Sequence, residues 1–134
     1  MSGYLLDTNV VSLLSPARAE ASPSFLAWLD KADARNALFL SAVTVHEIER
    51  GIILLKHKGA SAKARELRRW TDGLLSTYQD RILLVDAAVS AISGRLEAAA
   101  TAEGHNPGMA DALIAGTAKA HGLTVVTSNL RHFS

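Results

Sequence analysis

Three acidic residues and one amide are the side chains of this sequence best suited to act together. Asp7 directly follows the first predicted strand, and Glu47 lies in the first turns of the helix after the second. Asp111 lies in the first turns of the helix that leads into the fourth strand, and Asn129 follows that strand. Sites in open parallel sheets form at the carboxyl ends of the strands, so we expect these four side chains to reach one crevice.

Carboxylates gathered in one crevice repel one another, and burying them without compensation is costly. A hard divalent cation removes this conflict, because Mg²⁺ and Mn²⁺ prefer carboxylate oxygens and water to softer ligands. Such a cation also lowers the pKa of a bound water and stabilises the oxyanions of phosphodiester displacement. The combination therefore predicts metal-dependent phosphodiester chemistry.

Each of these residues, taken alone, also has an ordinary structural interpretation. Asp7 could cap a helix, and Glu47, like Glu49, flanks an apolar helical stripe and could be a solvated edge residue. The helix dipole favours an acid such as Asp111 near a helix start, and Asn129 could be a turn residue. Helical spacing by itself does not choose between Glu47 and Glu49.

Short apolar runs that alternate with helical periods form the framework that must hold these side chains. The predicted strands are 4–6, 37–40, 82–85 and 124–127, and the predicted helices are 8–14, 23–34, 41–55, 61–78, 87–103 and 107–120. Ser22, Asp86 and Asn106 are the expected N-caps, and Gly122 is the expected end of the last helix. Buried strands separated by helices predict a three-layer αβα domain with a central parallel sheet of four or five strands.

Length and composition agree with one folded domain over residues 1–134. Half of the residues, 49%, are hydrophobic and 20% are charged, which argues against disorder.

The chain has no cysteine, which excludes disulfides and thiolate metal sites and agrees with a cytoplasmic location. The start of the chain does not resemble a signal peptide, and no apolar run approaches the roughly 18 residues that a membrane span needs. A net charge of +1 means that a nucleic-acid partner would have to be recognised through a local patch.

Four segments carry a pattern that is specific in combination. They are YLLDTNVVS at 4–12, SAVTVHEIERG at 41–51, ADALIA at 110–115 and VVTSNLRHF at 125–133. These segments resemble, in order, the four motifs of the PIN-domain family, in particular of VapC- and FitB-type toxins from type II toxin–antitoxin pairs. One such motif is weak evidence, but four in family order across nearly the whole chain are highly specific.

The resemblance implies a PIN fold and an Mg²⁺- or Mn²⁺-dependent endoribonuclease. It implies that Asp7, Glu47 and Asp111 hold the metal as catalytic acids, and that Asn129 fills the fourth catalytic position. Thr127 matches a motif hydroxyl that supports the acid cluster. Glu47 rather than Glu49 matches the second motif. The same resemblance implies an RNA substrate.

The fourth motif departs from the family pattern. Relatives often carry an acid where this chain has Asn129 or His132. Asparagine supplies a carbonyl oxygen but no charge, so the number of metal ions stays open. Relatives usually also continue beyond the motif, so we expect that a C-terminal tail is missing after Ser134.

A basic stretch follows the second motif. Its cations are Lys56, Lys58, Lys63, Arg65, Arg68 and Arg69. They form either a solvated helical face or an arm that contacts phosphates in a salt-dependent way. The resemblance further implies a VapB- or FitA-like antitoxin that inserts a segment into the crevice near Arg50. We also expect a homodimer, because the helices after strands one and two carry more apolar surface than one sheet face needs. The predicted contacts for RNA or antitoxin are Arg50, Lys56, Lys58, Arg68 and Arg69.

Other functions fit less well. A zinc-protease motif beginning at His46 would need histidine where Arg50 stands. A phosphatase with an aspartyl nucleophile typically has a second acid two residues after the first, where this chain has Asn9. A PIN fold that binds without catalysis remains the main alternative, because Asn129 lacks the charge of an acid. Trp28 and Trp70 lie on apolar helical faces and are predicted to be core or subunit-interface residues.

Overall fold

Strands and helices alternate along the chain, of which the computed structural model describes residues 3–15 and 21–127. The strands are β1 (Tyr4–Leu6), β2 (Leu38–Ser41), β3 (Ile82–Leu83) and β4 (Thr124–Val126). The helices are α1 (Thr8–Val11), α2 (Pro23–Ala34), α3 (Ala42–His57), α4 (Ser61–Thr77), α5 (Ala87–Ala102) and α6 (Met109–His121). Short 3₁₀ turns at Ser12–Leu14 and Gln79–Arg81 extend α1 and precede β3.

The four strands form one sheet in the order β3-β2-β1-β4. Every pairing is parallel, and β1 pairs with β2 on one side and with β4 on the other. The chain therefore runs outward from β1 through β2 to β3 and then returns to the opposite side of β1. Ligands of open α/β sheets bind where the strand order reverses in this way, outside the carboxyl ends of the strands. Here that position is the crevice between the ends of β1 and β4.

Helices cover both faces of the sheet. On one face, Leu6, Leu38 and Leu40 pack against a cluster that includes Leu29 of α2 and Leu74 of α4. On the other face, Leu5 packs with residues of α3 and α6, namely Val43, Ile114 and Ala118. Neighbouring strand residues point to opposite faces, so the apolar run at β1 supplies both clusters. The predicted three-layer αβα architecture with a parallel sheet is confirmed, with four strands among the described residues.

Most of the predicted helix ends are confirmed by hydrogen bonds. Ser22 Oγ accepts from the Phe25 N–H, and Asp86 Oδ1 accepts from the Val89 N–H at 2.9 Å. Gly122 ends α6 in the left-handed conformation with a φ of 65°, which glycine adopts without steric penalty. Residues within four positions of one another make each of these contacts, which explains why sequence alone predicts them.

The predicted start of α6 is wrong. Asn106 and Pro107 were expected as N-cap and first helical residue, but α6 begins at Met109 and Gly108 occupies the N-cap. Gly108 has a φ of 86°, so the chain turns there before it enters the helix. Asn106 and Pro107 consequently belong to the loop between α5 and α6.

The two tryptophans pack against the hydrophobic core. Trp28 and Trp70 are partly buried and pack against the cluster on the α2 and α4 side of the sheet. The Trp28 ring also meets Tyr4 of β1 edge-on, with 4.8 Å between ring centroids. None of the described helices is both long enough and apolar enough to cross a membrane.

Candidate active site

A pocket of about 780 Å³ lies at the carboxyl ends of β1 and β4. Asp7 follows β1 directly, Thr127 follows β4 directly, and Asp111 lies in the first turn of α6; all three line this pocket. Helix α5 and the loop between α5 and α6 complete the wall. The sheet topology thus brings Asp7, Asp111 and Thr127, which are 104 and 16 residues apart along the chain, into one crevice.

Asp7 is both a helix cap and a pocket residue. Its Oδ1 accepts a hydrogen bond from the Val10 N–H at 2.9 Å, and its own N–H donates to the Val126 carbonyl at 3.0 Å. A carboxylate has two oxygens and about four acceptor positions, so capping α1 leaves the side chain able to act as a ligand. The cap also fixes the orientation of the carboxylate at the end of β1.

Glu47 lies beside the residue that follows Asp7. Its Oε1 accepts a hydrogen bond of 2.5 Å from Thr8 Oγ1, and Thr8 Oγ1 lies 3.0 Å from Thr44 Oγ1. Among the described residues, Glu47 lies outside the lining of the pocket that contains Asp7 and Asp111. The structure therefore places the acid of the second motif against the first turn of α1.

Glu49 has a different environment. Both of its carboxylate oxygens accept hydrogen bonds from the Arg68 guanidinium, at 2.6 and 2.7 Å. This pairing is the largest cause of a lowered pKa of the Glu49 carboxyl group. Glu49 thus holds α3 to α4, whereas Glu47 contacts α1.

The donor set of the pocket is suited to a hard cation. Within residues 3–15 and 21–127, no three His, Cys, Asp or Glu side chains are grouped so that they could hold a metal ion by themselves. Mg²⁺, however, usually binds proteins through one or two carboxylates, keeps several waters and completes its shell with substrate phosphates. Asp7 and Asp111 provide two carboxylates, and Asn9 and Thr127 add further oxygen atoms. These residues fit a hydrated Mg²⁺ or Mn²⁺ ion.

The remaining predicted site residues have three different placements. Arg50, Lys56, Lys58 and Arg69 are exposed. Arg68 is bound to Glu49. Asn129, predicted for the fourth catalytic position, lies outside the described residues.

Sequence reasoning missed four polar residues of the pocket wall, namely Asn9, Glu97, His105 and Asn106. Asn9 lies inside the first motif, which is a usable signal, and the local pattern at Asn106 predicts a helix cap instead. Glu97 and His105 carry no local signal. The packing of α5 on α6 brings them to the pocket, and that contact is not visible in a local pattern.

Comparisons with known proteins cover nearly the whole chain. A family model described as "PIN domain" matches residues 4–134. Toxin FitB of Neisseria gonorrhoeae is 36% identical over 129 residues, which span 96% of this chain and 89% of that protein. The VapC ribonuclease Y4jK of Sinorhizobium fredii is 36% identical over 131 residues, with the same two coverages of 96% and 89%.

Solved structures are similar over the same length. The crystal structure of FitAcB from Neisseria gonorrhoeae superposes with a TM-score of 0.77 at 36% identity, covering 95% of this chain and 88% of that one. The crystal structure of DNA-bound VapBC from Salmonella typhimurium superposes with a TM-score of 0.75, covering 99% of this chain and 91% of that one. The sequence identity to the latter is 24%, so it supports the fold alone.

Proposed function

The chain belongs to the PIN domain family, and we propose that it is the toxin of a VapBC-like toxin–antitoxin pair, acting as an Mg²⁺- or Mn²⁺-dependent endoribonuclease. Relatives named toxin FitB and VapC ribonuclease support this proposal. The observation that best supports the proposed nuclease activity is the pocket where the strand order reverses, because Asp7 and Asp111 both line it. Two carboxylates at this position suit phosphodiester hydrolysis better than any other chemistry considered above.

The proposed roles of the side chains follow from their placement. Asp7, held in orientation by its hydrogen bond from the Val10 N–H, and Asp111 at the start of α6 would hold the cation directly. Glu47, anchored by Thr8, would act as the third acid. When bound, Mg²⁺ or Mn²⁺ supplies positive charge to the phosphate oxygens and makes water more acidic. One of the three carboxylates would accept the proton of the attacking water as its oxygen bonds to phosphorus. The bond from phosphorus to the 3′ oxygen of RNA would break, and the released 3′ oxygen would take up a proton from solvent.

The partner proposed for this chain is a VapB- or FitA-like antitoxin. Similar solved structures are FitAcB, at 36% identity, and FitAB bound to a DNA fragment, at 33% identity. We propose that a segment of the antitoxin covers the pocket of Asp7 and Asp111. An antitoxin-free preparation is therefore required for any test of activity.

The first experiment incubates antitoxin-free protein with total cellular RNA in Mn²⁺, in Mg²⁺ and in EDTA. We expect discrete cleavage that requires the metal and is abolished in Asp7→Asn. Asparagine caps helices about as well as aspartate, so this variant keeps the α1 cap and loses only the charge. Asp86→Asn makes the same change at the cap of α5, outside the pocket lining, and should keep full activity.

Two outcomes would contradict the proposed metal-dependent nuclease activity. One is full activity of Asp7→Asn, and the other is cleavage that persists in EDTA. Folded wild-type protein that binds RNA without cleaving it in either metal would favour the non-catalytic binding module.

We also propose that the exposed cations Arg50, Lys56, Lys58 and Arg69 contact RNA phosphates. Replacing Lys56 and Lys58 with glutamine should weaken RNA binding and flatten its salt dependence. The slope of log K against log salt should fall by about 0.7 for each phosphate of a single strand that the variant no longer neutralises. A control with the exposed Lys31 and Lys119 replaced by glutamine has the same net charge. Equal slopes for the two double variants would show that the stretch is only a solvated surface.

A further inference from the structure

A chain of side-chain hydrogen bonds joins α3 to the start of α1. Thr8 Oγ1 lies 2.5 Å from Glu47 Oε1 and 3.0 Å from Thr44 Oγ1. In the contact between Thr8 and Thr44, either hydroxyl could be the donor. The bond from Thr8 to Glu47 settles which of them donates. An ionised carboxylate can only accept, so the single hydroxyl proton of Thr8 goes to Glu47. Thr44 must then donate to Thr8, and the order is Thr44 to Thr8 to Glu47.

The inner part of this chain is shielded from solvent. Thr44 has no exposed surface and Thr8 is partly buried. A buried hydroxyl needs a partner, because an unsatisfied one is unfavourable. Thr44 therefore fixes the hydroxyl of Thr8. Thr8 in turn fixes one carboxylate oxygen of the partly buried Glu47.

The same short segment also orients Asp7. The first turn of α1 supplies the Val10 N–H that holds Asp7 Oδ1 at 2.9 Å, and the next residue after Asp7 supplies the hydroxyl for Glu47. The two acids come from different motifs and different elements, the end of β1 and helix α3, 40 residues apart along the chain. The carboxylates of Asp7 and Glu47 are therefore both oriented by hydrogen bonds to the turn of Thr8–Val11.

We propose that Thr8 is a positioning residue for the acids of the proposed site: its hydroxyl sets the place of the Glu47 carboxylate relative to Asp7. This inference rests on the proposed function, because it concerns the same site. Hydrogen-bond partners that orient the acids around a metal typically change metal affinity or activity by about 10–100-fold when they are removed. A threonine that only stabilised the fold would change stability and leave metal affinity unaltered.

The test is a calorimetric titration of Mn²⁺ into EDTA-treated, dialysed protein. Thr8→Val keeps the shape of the side chain and removes the hydroxyl, and we expect its Mn²⁺ affinity to fall by about 10–100-fold. Thr8→Ser keeps the hydroxyl and should restore affinity close to that of the wild type. Thr44→Val should have a smaller effect than Thr8→Val, because the bond from Thr8 to Glu47 remains. Circular dichroism at the titration temperature establishes that each variant is folded.

Cleavage kinetics give a second readout. The loss of kcat in Thr8→Val should be recovered in part at high Mn²⁺, whereas KM for RNA should stay unchanged, because the hydroxyl acts on Glu47 and not on RNA. Thr8→Ala replaces Thr8→Val if valine does not allow folding, since alanine removes the hydroxyl without adding a second methyl group. Both the Mn²⁺ titration and the kinetics then compare a side chain that has a hydroxyl at position 8 with one that lacks it.

The outcomes separate this inference from the proposed function. Wild-type Mn²⁺ affinity in folded Thr8→Val, or equal losses in Thr8→Val and Thr8→Ser, would overturn the positioning role. Asp7→Asn in the same titration tests the metal site itself. If Asp7→Asn binds Mn²⁺ as the wild type does, the proposed metal site fails. If Asp7→Asn loses Mn²⁺ while Thr8→Val keeps it, only the role of Thr8 fails.

Discussion

At the scale of single residues, one carboxylate can have two roles at once, as Asp7 and Asp33 illustrate. Asp7 caps α1 and faces the pocket. Asp33 of α2 accepts a hydrogen bond of 2.5 Å from Tyr78 Oη and lies 3.9 Å from the Arg81 guanidinium. Such double use is possible because each carboxylate oxygen can accept more than one hydrogen bond. A structural role for an acid is therefore no argument against a chemical one.

The Tyr78 contact predicts a pH dependence of stability. Burial raises the pKa of the Tyr78 hydroxyl, and the hydrogen bond to Asp33 raises it further. The folded state therefore keeps this proton at a pH where the unfolded state loses it, near pH 10. The resulting stabilisation is complete below about pH 10 and decreases as the pH rises above it.

Denaturation of the wild type and of Tyr78→Phe measures this effect. At pH 7 we expect Tyr78→Phe to be less stable by about 1 kcal/mol, the usual net contribution of one hydrogen bond. Above about pH 10 the difference should shrink, because only the wild type has this hydroxyl to ionise. A difference that stays constant or grows up to pH 11 would contradict the assigned burial and bonding of Tyr78.

At the scale of elements, α5 and α6 pack closely enough to exclude a methyl group. A Cβ atom on Gly116 of α6 would overlap Ser93 Oγ and lie 3.0 Å from Ser93 Cα. In contrast, a Cβ atom on the motif glycine Gly51 would point into open space among the described residues. The close contact matters for the site, because both α5 and α6 supply residues of the pocket wall.

Gly116→Ala should destabilise the protein by about 1–3 kcal/mol, the usual effect of overpacking. Gly94→Ala is the matched control, because Gly94 lies beside Ser93 in α5 with open space at its Cβ position. There the better helix propensity of alanine should raise stability by up to about 1 kcal/mol. Urea denaturation of both variants checks the prediction.

The double variant Ser93→Ala with Gly116→Ala adds a second check. It removes the nearest atom, Ser93 Oγ, and should recover part of the lost stability, but not all of it. The Ser93 backbone still lies within 3.0 Å of the new Cβ atom. Equal stability of Gly116→Ala and the wild type would mean that the helices separate easily at this point.

At the scale of the whole molecule, the order of the strands creates the site. The sheet order β3-β2-β1-β4 sets the ends of β1 and β4 side by side, and α6 delivers Asp111 to the same place. Like charges held at one point by the whole fold oppose folding unless a cation lies between them. Stability and metal binding should therefore be coupled in this protein.

Thermal denaturation with and without Mn²⁺ measures this coupling. Saturating metal stabilises a folded protein by mass action, by about 2.7 kcal/mol when its concentration is 100 times Kd. We expect Tm of the wild type and of the control Asp86→Asn to rise with Mn²⁺, and Tm of Asp7→Asn and Asp111→Asn to rise much less. The same increase in all four proteins would place the metal elsewhere.

The local structure and the family could both be predicted from the amino-acid sequence. Helix caps depend on contacts within four residues: Ser22 and Asp86 cap the starts of helices, and Gly122 caps the end of one. The apolar runs of β1 and β2 have no alternative to burial in a two-sided sheet. The motifs predicted the PIN family because each is a contiguous segment. The failure at Asn106 was also local, since Gly108 competed for the same cap position.

The contacts between distant side chains could not be predicted from the sequence, because they depend on the folded arrangement of the helices. The bond from Thr8 to Glu47 spans 39 residues, and the pairing of Glu49 with Arg68 spans 19. Neighbouring acids of one helix, Glu47 and Glu49, thereby have separate partners on α1 and α4. Spacing along the sequence could not separate them, because such contacts depend on how whole helices pack against the sheet and against each other. Packing is set by the summed burial of many apolar side chains, and no local pattern contains that sum.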